Sequence, residues 1–466
     1  MEGLEASINT YEQVLDNKDW RVDSDFWTKE PYRNPDLSYV PIGDHLTKSQ
    51  YGISILMHED GGGVPIYRMN EMHDMLCDYT IMKTADVTDK EKRLFSLHDR
   101  DVLFNRTNSY QWVGRTGLYK GNEGARAIFA SYLVRFRTDE AFILPEFLTA
   151  FLSCKYGQQE VKRRSRQSIN QTNVNPEEVK EILIPLLKMG LQDKLKDAFD
   201  IAHEAHLAAS EKINEAQQTL LDALGLANWT PPEPLGYTAR ASDAFAAGRW
   251  DAQYFRPLFV EVEQRLLATG RAVELGTILD INNRGRQPDY SDEGLPVVNS
   301  KHVRTNKVVL GDDNRRAVGA GSPVVIEKGD VLVNGTGVGT IGRAAAFLHE
   351  QSALPDNHVT VLRTSRVDPI YLAVFLNSLL GQLQIERHIK GSSGQIELYP
   401  NDIAKIVFWD APDQVQTDVR DAVLSAFREE RRAQDLLDAA KRAVEIAIED
   451  GEPAALDFLD SLEEAS

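Results

Sequence analysis

Asp101-Val102-Leu103-Phe104-Asn105 returns further along the chain as Asp330-Val331-Leu332-Val333-Asn334. Phe151-Leu152-Ser153 with Gly157-Gln158 returns as Phe375-Leu376-Asn377 with Gly381-Gln382, and Asn175-Pro176 before Val179 returns as Tyr399-Pro400 before Ile403. From Pro145 onward the offset is constant, carrying 145 to 369, 157 to 381, 176 to 400 and 192 to 416. A repeat this long is not a solenoid period, which runs at roughly 20–50 residues. It is a duplicated domain. Two related sites in one chain suit a target that is read in two places.

Each copy mixes strand and helix signals. Ile128 to Phe136 is rich in β-branched and aromatic residues, as strands are. Glu146 to Arg163 has helical spacing, and Pro185 ends the pattern. From Leu191 to Ala223 the chain then has no Pro and no Gly. Apolar residues fall at Leu191, Leu195, Ala198, Ala202, Ala205 and Ala209, in steps of four and three, which is a heptad seam interrupted by Lys212. The second copy keeps the register through Val415, Val419, Ala422, Ala426, Ala433, Leu436, Ala440, Ala443 and Ala447, with Glu429 the exception. At ~1.5 Å per residue each helix runs about 50 Å. Small seam residues and a whole domain between them predict an antiparallel pair; the other reading is two amphipathic helices, each lying on its own domain.

The predicted fold class is therefore α+β, two similar mixed α/β domains joined by two long helices. Expected boundaries are a lead-in at 1–38, a first mixed domain at 39–187, a long helix at 188–226, and a linker with a second lead-in at 227–272. A second mixed domain at 273–411, a second long helix at 412–448 and a loose acidic tail at 449–466 follow. Gly225 caps the first long helix, and Arg249-Trp250-Asp251 with Tyr254-Phe255 echoes the lead-in's Asp25-Phe26-Trp27.

Composition sets outer limits. With 466 residues and 42% hydrophobic content there is length for several cores. Cys77 and Cys154 are too few for a disulfide framework and read as buried free thiols in a reducing compartment. No apolar run reaches the roughly 18 residues of a membrane span, and the start, Met-Glu-Gly-Leu-Glu, is acidic, so a cytoplasmic protein is expected. The net charge of −19 argues against a simple nucleic-acid binder. Much of that charge lies at the ends, however: residues 449–466 carry seven acids and no Lys or Arg, and residues 1–30 carry eight acids against three bases.

Catalytic motifs fail one by one. Gly335-Thr336-Gly337-Val338-Gly339-Thr340-Ile341-Gly342 is followed by Arg343-Ala344, not by the Lys and Ser/Thr of a phosphate loop. His203-Glu204-Ala205-His206 is one residue short of a zinc-protease signature. Glu160-Val161-Lys162 and Glu178-Val179-Lys180 have a nuclease-like spacing, but the second copy has Gln384-Ile385-Glu386 and Asp402-Ile403-Ala404. No catalytic residue and no metal ligand is assigned.

Binding chemistry is better represented. In the first copy Lys162, Arg163, Arg164 and Arg166 stand beside Gln167 and Asn170, with Asn105 and Arg106 upstream. In the second, Lys390, Ser392, Ser393 and Gln395 occupy the matching segment, with Asn334 and Thr336 upstream. A further cluster holds Arg284, Arg286, Lys301, His302 and Arg304. Cations seek phosphates and amides read base edges, so all of these are candidate DNA-binding residues.

These parts together resemble the specificity (S) subunit of type I restriction-modification systems, HsdS-like proteins. The carrying residues are Lys328-Gly329-Asp330-Val331-Leu332-Val333-Asn334-Gly335-Thr336-Gly337 with Ile341-Gly342-Arg343, then Phe375-Leu376-Asn377-Ser378 and Gly391-Ser392-Ser393-Gly394-Gln395. Leu398, Asp402-Ile403, Ile406 and the long helix follow, and the first copy echoes them in Asp101 to Arg106 with Val113-Gly114-Arg115. The likeness covers roughly 39–448. It implies two target-recognition domains, each reading half of a split double-stranded DNA site, and two helices that space them. It also implies two docked methyltransferase (M) subunits that bind S-adenosylmethionine, a restriction (R) subunit as a further partner, and no cofactor or active site on this chain. The first turn, Arg106 to Ser109, departs from the glycine-rich pattern, so the two domains are expected to read unlike sequences. A variant phage-defence component, a coiled-coil adaptor without DNA specificity and a metal-dependent nuclease stay as alternatives.

Overall fold

The computed structural model describes residues 8–16, 20–59, 61–77, 83–121, 127–169, 171–311, 313–319, 321–392 and 395–465. Two compact units emerge: Met1–Leu207 with Glu429–Ser466, and Ala208–Arg428. The fold class is α+β, as expected. In the first unit the main sheet runs in the order Leu46–Tyr51, Leu133–Thr138, Val102–Asn105, Thr116–Leu118, Leu76–Cys77, Met72–His73. The second unit repeats its centre as an antiparallel sheet of Ile281–Arg284, Val359–Arg363, Val331–Asn334 and Ala344–Ala346. In the first, Val134 pairs with Tyr51 on one side and Phe104 on the other. In the second, Thr360 pairs with Arg284 and Val333. These registers fix which residues are equivalent.

Two consecutive helices pack on each sheet, Pro145–Ser153 with Lys155–Arg164 and Pro369–Asn377 with Leu379–His388. Each first helix has Pro at its start, where no backbone donor is needed. A buried glutamine on each long helix holds this entry. Gln192 Oε1 accepts from Leu144 N (2.8 Å) and its Nε2 donates to Leu187 O (2.8 Å). Gln416 does the same with Asp368 N (2.9 Å) and Ala411 O (3.0 Å). The repeat thus extends to single hydrogen bonds. It does so again at Asp101 and Asp330, which accept from His98 N and Glu327 N and pair with Arg137 and Arg363.

The long helices are Met189–Ala223 and Asp413–Asp450. In the first unit Leu191, Leu195, Ala198, Ala202 and Ala205 share one core with Ala433, Leu437, Ala440, Ala443 and Ala447. In the second, Ala216 and Leu220 share one with Val419, Ala422 and Val423. The start of one helix therefore meets the end of the other, an antiparallel pairing. Both cores also contain the domain helices, so each long helix packs on its partner and its domain at once. That wider contact buries Leu437 fully and leaves Leu436, the expected seam residue, at the margin. Cys77 and Cys154 are buried, and neither is in a disulfide among the described residues.

The tail is not loose. Glu452–Ala465 is a helix whose Ala455 and Leu459 are buried in the first unit, with Lys194 on Asp460 at 3.1 Å. Counting acids hid the apolar spacing on its inner face.

The lead-ins are clamped rather than free. Asp23 caps Phe26 N (3.1 Å) and pairs with Arg21. Asp251 caps Tyr254 N (3.0 Å) and pairs with Arg249. The shared pattern is thus Arg-x-Asp-x-x-aromatic. Arg163 lies over the Phe26 ring and donates to Phe26 O (2.7 Å); Arg387 lies over the Tyr254 ring and donates to Tyr254 O (3.0 Å).

This corrects the reading of the basic cluster. Arg163 and Arg164 are buried, and with Arg33 they converge on the carboxylate of Glu160, itself almost fully buried. Arg21 and Arg164 also reach Glu178, through its side chain and its carbonyl. Arg21, Arg163 and Arg164 cannot meet a phosphate without opening the core. The same pairings occupy the two acids of the nuclease-like triplets. Burial alone would raise the Glu160 pKa, but Arg164 and Arg163 outweigh it and hold the carboxyl below its ordinary range. Because the folded value is the lower one, this stabilisation is complete above the unfolded pKa and fades as pH falls.

Glu160→Gln should therefore destabilise the protein by about 3–5 kcal/mol at neutral pH, the usual penalty for stranding buried charge. It should also flatten the loss of stability below about pH 4.5; urea midpoints across pH 3–7 measure both. Gln416→Ala and Gln192→Ala should each lose about 1–3 kcal/mol in the same assay, by leaving a buried N–H and C=O unpaired.

Candidate nucleic-acid interface

In each unit the sheet strands end at one rim, and a turn and a small ribbon are built there. Asn105 N donates to Arg115 O (2.8 Å) and Gly114 N to Asn105 O (2.8 Å). Asn334 N and Gly342 N repeat this with Arg343 O (3.0 Å) and Asn334 O (2.8 Å). Each turn is pressed on the second domain helix. Gly114 and Gly342 have φ of +85° and +81°, and a Cβ there would lie 2.4 Å from Val161 Cγ1 or 2.7 Å from Ile385 Cγ2. Only glycine fits both the left-handed backbone and the space. Gln158 and Gln382 complete the contact, donating to Gly114 O (3.2 Å) and Gly342 O (3.1 Å).

Asn105 and Asn334 are fully buried, and their side chains serve the rim: Asn105 accepts from Thr107 N, and Asn334 donates to Ser300 O (3.0 Å). They were expected at the DNA; they are scaffold. Lys162 is corrected likewise. Its ammonium donates to the carbonyls of Tyr110, Gln111 and Val113, closing the first turn, and burial pushes its pKa down to about 8.

The ribbons gather residues far apart in sequence. In the first unit Thr107–Asn108 pairs with Thr172–Asn173, which pairs with Arg166–Gln167. In the second, Thr336 bridges to Glu397, and Gln395–Glu397 pairs with Lys390–Ser392. Val174 N to Arg106 O and Leu398 N to Gly335 O, both 2.9 Å, anchor them at equivalent points. Arg166 and Gln167 are exposed. Arg166 leans on Glu178 at 3.5 Å, and Lys390 on Asp402 at 2.7 Å, one ion pair kept in both units. Asn170 and Ser393 lie outside the described residues, and only the backbones of Ser392 and Gln395 are described.

A guanidinium sits at the root of each ribbon, but from different strands. Arg106 lies over the Tyr51 ring and donates to Ser131 O (3.1 Å). Arg284, at the position equivalent to Tyr51, donates to Gly335 O (3.1 Å) and Leu398 O (2.6 Å) and lies over Tyr399.

The rim of the second unit carries a further hairpin, Val303–Arg304 with Lys307–Val308. Lys301 is exposed but paired with Asp313 at 2.9 Å. His302 is buried; its Nδ1 accepts from Asn299 N (3.1 Å), and burial first, then Lys301, lowers its pKa. It is internal rather than a phosphate contact. Arg286 and Arg304 are exposed and meet no carboxylate among the described residues. Arg343, missed in the sequence as the closing residue of a glycine-rich turn, also has none. Thr336 is spent on His358 at 2.8 Å.

Among the described residues no three His, Cys, Asp or Glu side chains gather as a metal site, and no helix is long and apolar enough to cross a membrane.

No protein-family model matches the chain. It is 22% identical over 210 residues to a putative type I restriction enzyme specificity subunit, MjaX, of Methanocaldococcus jannaschii. That alignment takes in 43% of this chain and 49% of the relative, so the chain spans about half the length of the curated relative it matches. Among solved structures, the S subunit of a type I restriction-modification system from M. genitalium is 13% identical with a TM-score of 0.39, over 92% of this chain and 98% of that one. The HsdS subunit from Thermoanaerobacter tengcongensis is 15% identical with a TM-score of 0.28, over 88% and 98%. The likeness named from the motifs thus reappears in the comparison: over 210 residues this chain is similar in sequence to a type I restriction enzyme specificity subunit.

Proposed function

We propose that this chain is the DNA-recognition subunit of a type I restriction-modification or related phage-defence complex, and that it reads a bipartite duplex target. The observation that carries this reading is the rim itself. Twice in one chain, a turn, a ribbon and exposed polar or cationic side chains are assembled at the same sheet ends on the same hydrogen-bonded frame. The exposed parts differ between the two, as two unlike half-sites require. A β-ribbon of this kind fits the width of the major groove. Arg166 and Gln167 in the first unit, and the segment 390–397 in the second, are the residues we assign to base and phosphate contact.

In this reading the chain performs no chemistry. Two methyltransferase subunits, carrying S-adenosylmethionine, methylate adenine at the sites it selects, and the long helices set the gap between half-sites. A restriction subunit joins for cleavage. The curated relative and the duplicated construction support this reading over the adaptor. The engagement of Glu160 and Glu178 by arginines speaks against the nuclease.

Mapping methylated adenines in a host expressing this gene with its neighbours should reveal one split motif that vanishes when the gene is deleted. A single unsplit motif, or methylation indifferent to the gene, sinks the reading. Lengthening both long helices by one turn should alter the accepted gap and leave the half-site sequences unchanged; an unaltered gap removes the spacer role.

A further inference from the structure

Resting on the DNA reading above, we propose that the turn Gly335–Arg343 with Arg304 is a grip for a backbone phosphate of duplex DNA, present in the second unit and not in the first.

The turn offers donors and space. Thr340 N and Ile341 N both donate to Gly337 O, at 3.1 and 2.9 Å, while the N–H groups of Val338 and Gly339 meet no acceptor among the described residues. A Cβ on Gly339 would touch nothing, and Val338 is 72% exposed, so the tip stands open. Gly337 and Gly339 have φ of +97° and +77°, which keep successive N–H groups accessible, as in anion-binding nests.

Charge comes from two arginines. Arg343 closes the turn through Arg343 N to Thr340 O (3.2 Å). Asn306 N donates to Ala344 O (3.0 Å), which brings the hairpin bearing Arg304 alongside. Burial, then the field of Arg304, depresses the Arg343 pKa, so the two cations feel each other. Neither has a carboxylate partner among the described residues. An anion with several acceptor oxygens relieves that repulsion and uses the idle N–H groups; a phosphate diester does both.

The first turn keeps the same hydrogen bonds, Trp112 N and Val113 N donating to Ser109 O at 3.0 and 2.9 Å, but Ser109 and Gln111 stand where the second has the left-handed Gly337 and Gly339, beside half-exposed Tyr110 and Trp112. Arg115, equivalent to Arg343, donates to Met72 O (3.0 Å) and stacks on Trp112 at 4.3 Å. Asp438 lines the same cleft as Arg115; at the repeat offset the second unit has Asn214.

The test is binding of the full-length chain to a fluorescent random-sequence duplex across a chloride series. Arg304→Gln and Arg343→Gln should each reduce the slope of log affinity against log salt by about one. Because either arginine change could disturb the fold, the exposed tip gives an independent pair. Val338→Asp should weaken binding at low salt about tenfold, and Val338→Lys should steepen the slope by about one. Trp112→Ala, in the first turn, should leave the slope unchanged. If the wild-type chain retains no duplex, the DNA reading itself fails. If it binds with a salt-dependent slope that all four second-turn variants share, the DNA reading stands and the grip is wrong. If inorganic phosphate stabilises the wild type and not the arginine variants, yet the duplex slope is the same in all, the site holds a free anion and this proposal is overturned.

Discussion

One amide per unit holds the rim together. Gln158 and Gln382 each donate to the end of the preceding helix, at Leu152 O (2.6 Å) and Leu376 O (2.7 Å), and to the carbonyl of the left-handed glycine in the turn. With Gly114 on Val161 and Gly342 on Ile385, this fixes the turn to the helix. The helix leads directly into the ribbon, so the ribbon's position follows. In a half-buried site such hydrogen bonds contribute about 1 kcal/mol each, but leaving their partners unmet is dearer. The outer residues are free to vary because this inner frame does not.

The pair formed by Tyr51 with Arg106, and by Arg284 with Gly335, shows what the frame preserves. Sheet register makes Tyr51 equivalent to Arg284. Arg106 and Gly335 each follow the buried asparagine. A Cβ on Gly335 would fall 2.1 Å from Arg284 Nη2, so glycine is what lets the second unit supply its guanidinium from the neighbouring strand. The charge keeps its place at the root of the ribbon while its sequence position moves. A comparison at fixed offset sees two unrelated substitutions; the sheet shows one exchange.

Burial divides the cations into two populations. Arg163, Arg164 and Arg21 are interior struts that bind the lead-in to the first unit, neutralised by Glu160 and Glu178. The second unit needs less: Gln384 replaces Glu160 and bonds Val407 from both ends of its amide, while Arg387 pairs with Glu263. What meets no carboxylate among the described residues is a smaller set, chiefly Arg286, Arg304 and Arg343.

The sequence by itself determined the duplication, the two long helices and their antiparallel sense. Repeated glycines, asparagines and alanine seams are local or periodic signals that survive without coordinates. It also marked the segments 105–106, 166–167, 334–336 and 390–392 that the rim draws together. It could not tell which of four neighbouring basic residues faces inward, because a helix turns about 100° per residue and the buried Glu160 lies on the same helix as Lys162 to Arg164. Nor could it find Arg343, whose freedom depends on what is absent around it, or the packed helix at 452–465, whose acids conceal an apolar face. Those were decided by the tertiary structure: Glu160 meets Arg163 and Arg164 only three and four residues on, but Phe26 and Arg33, which close over that cluster, come from more than a hundred residues away.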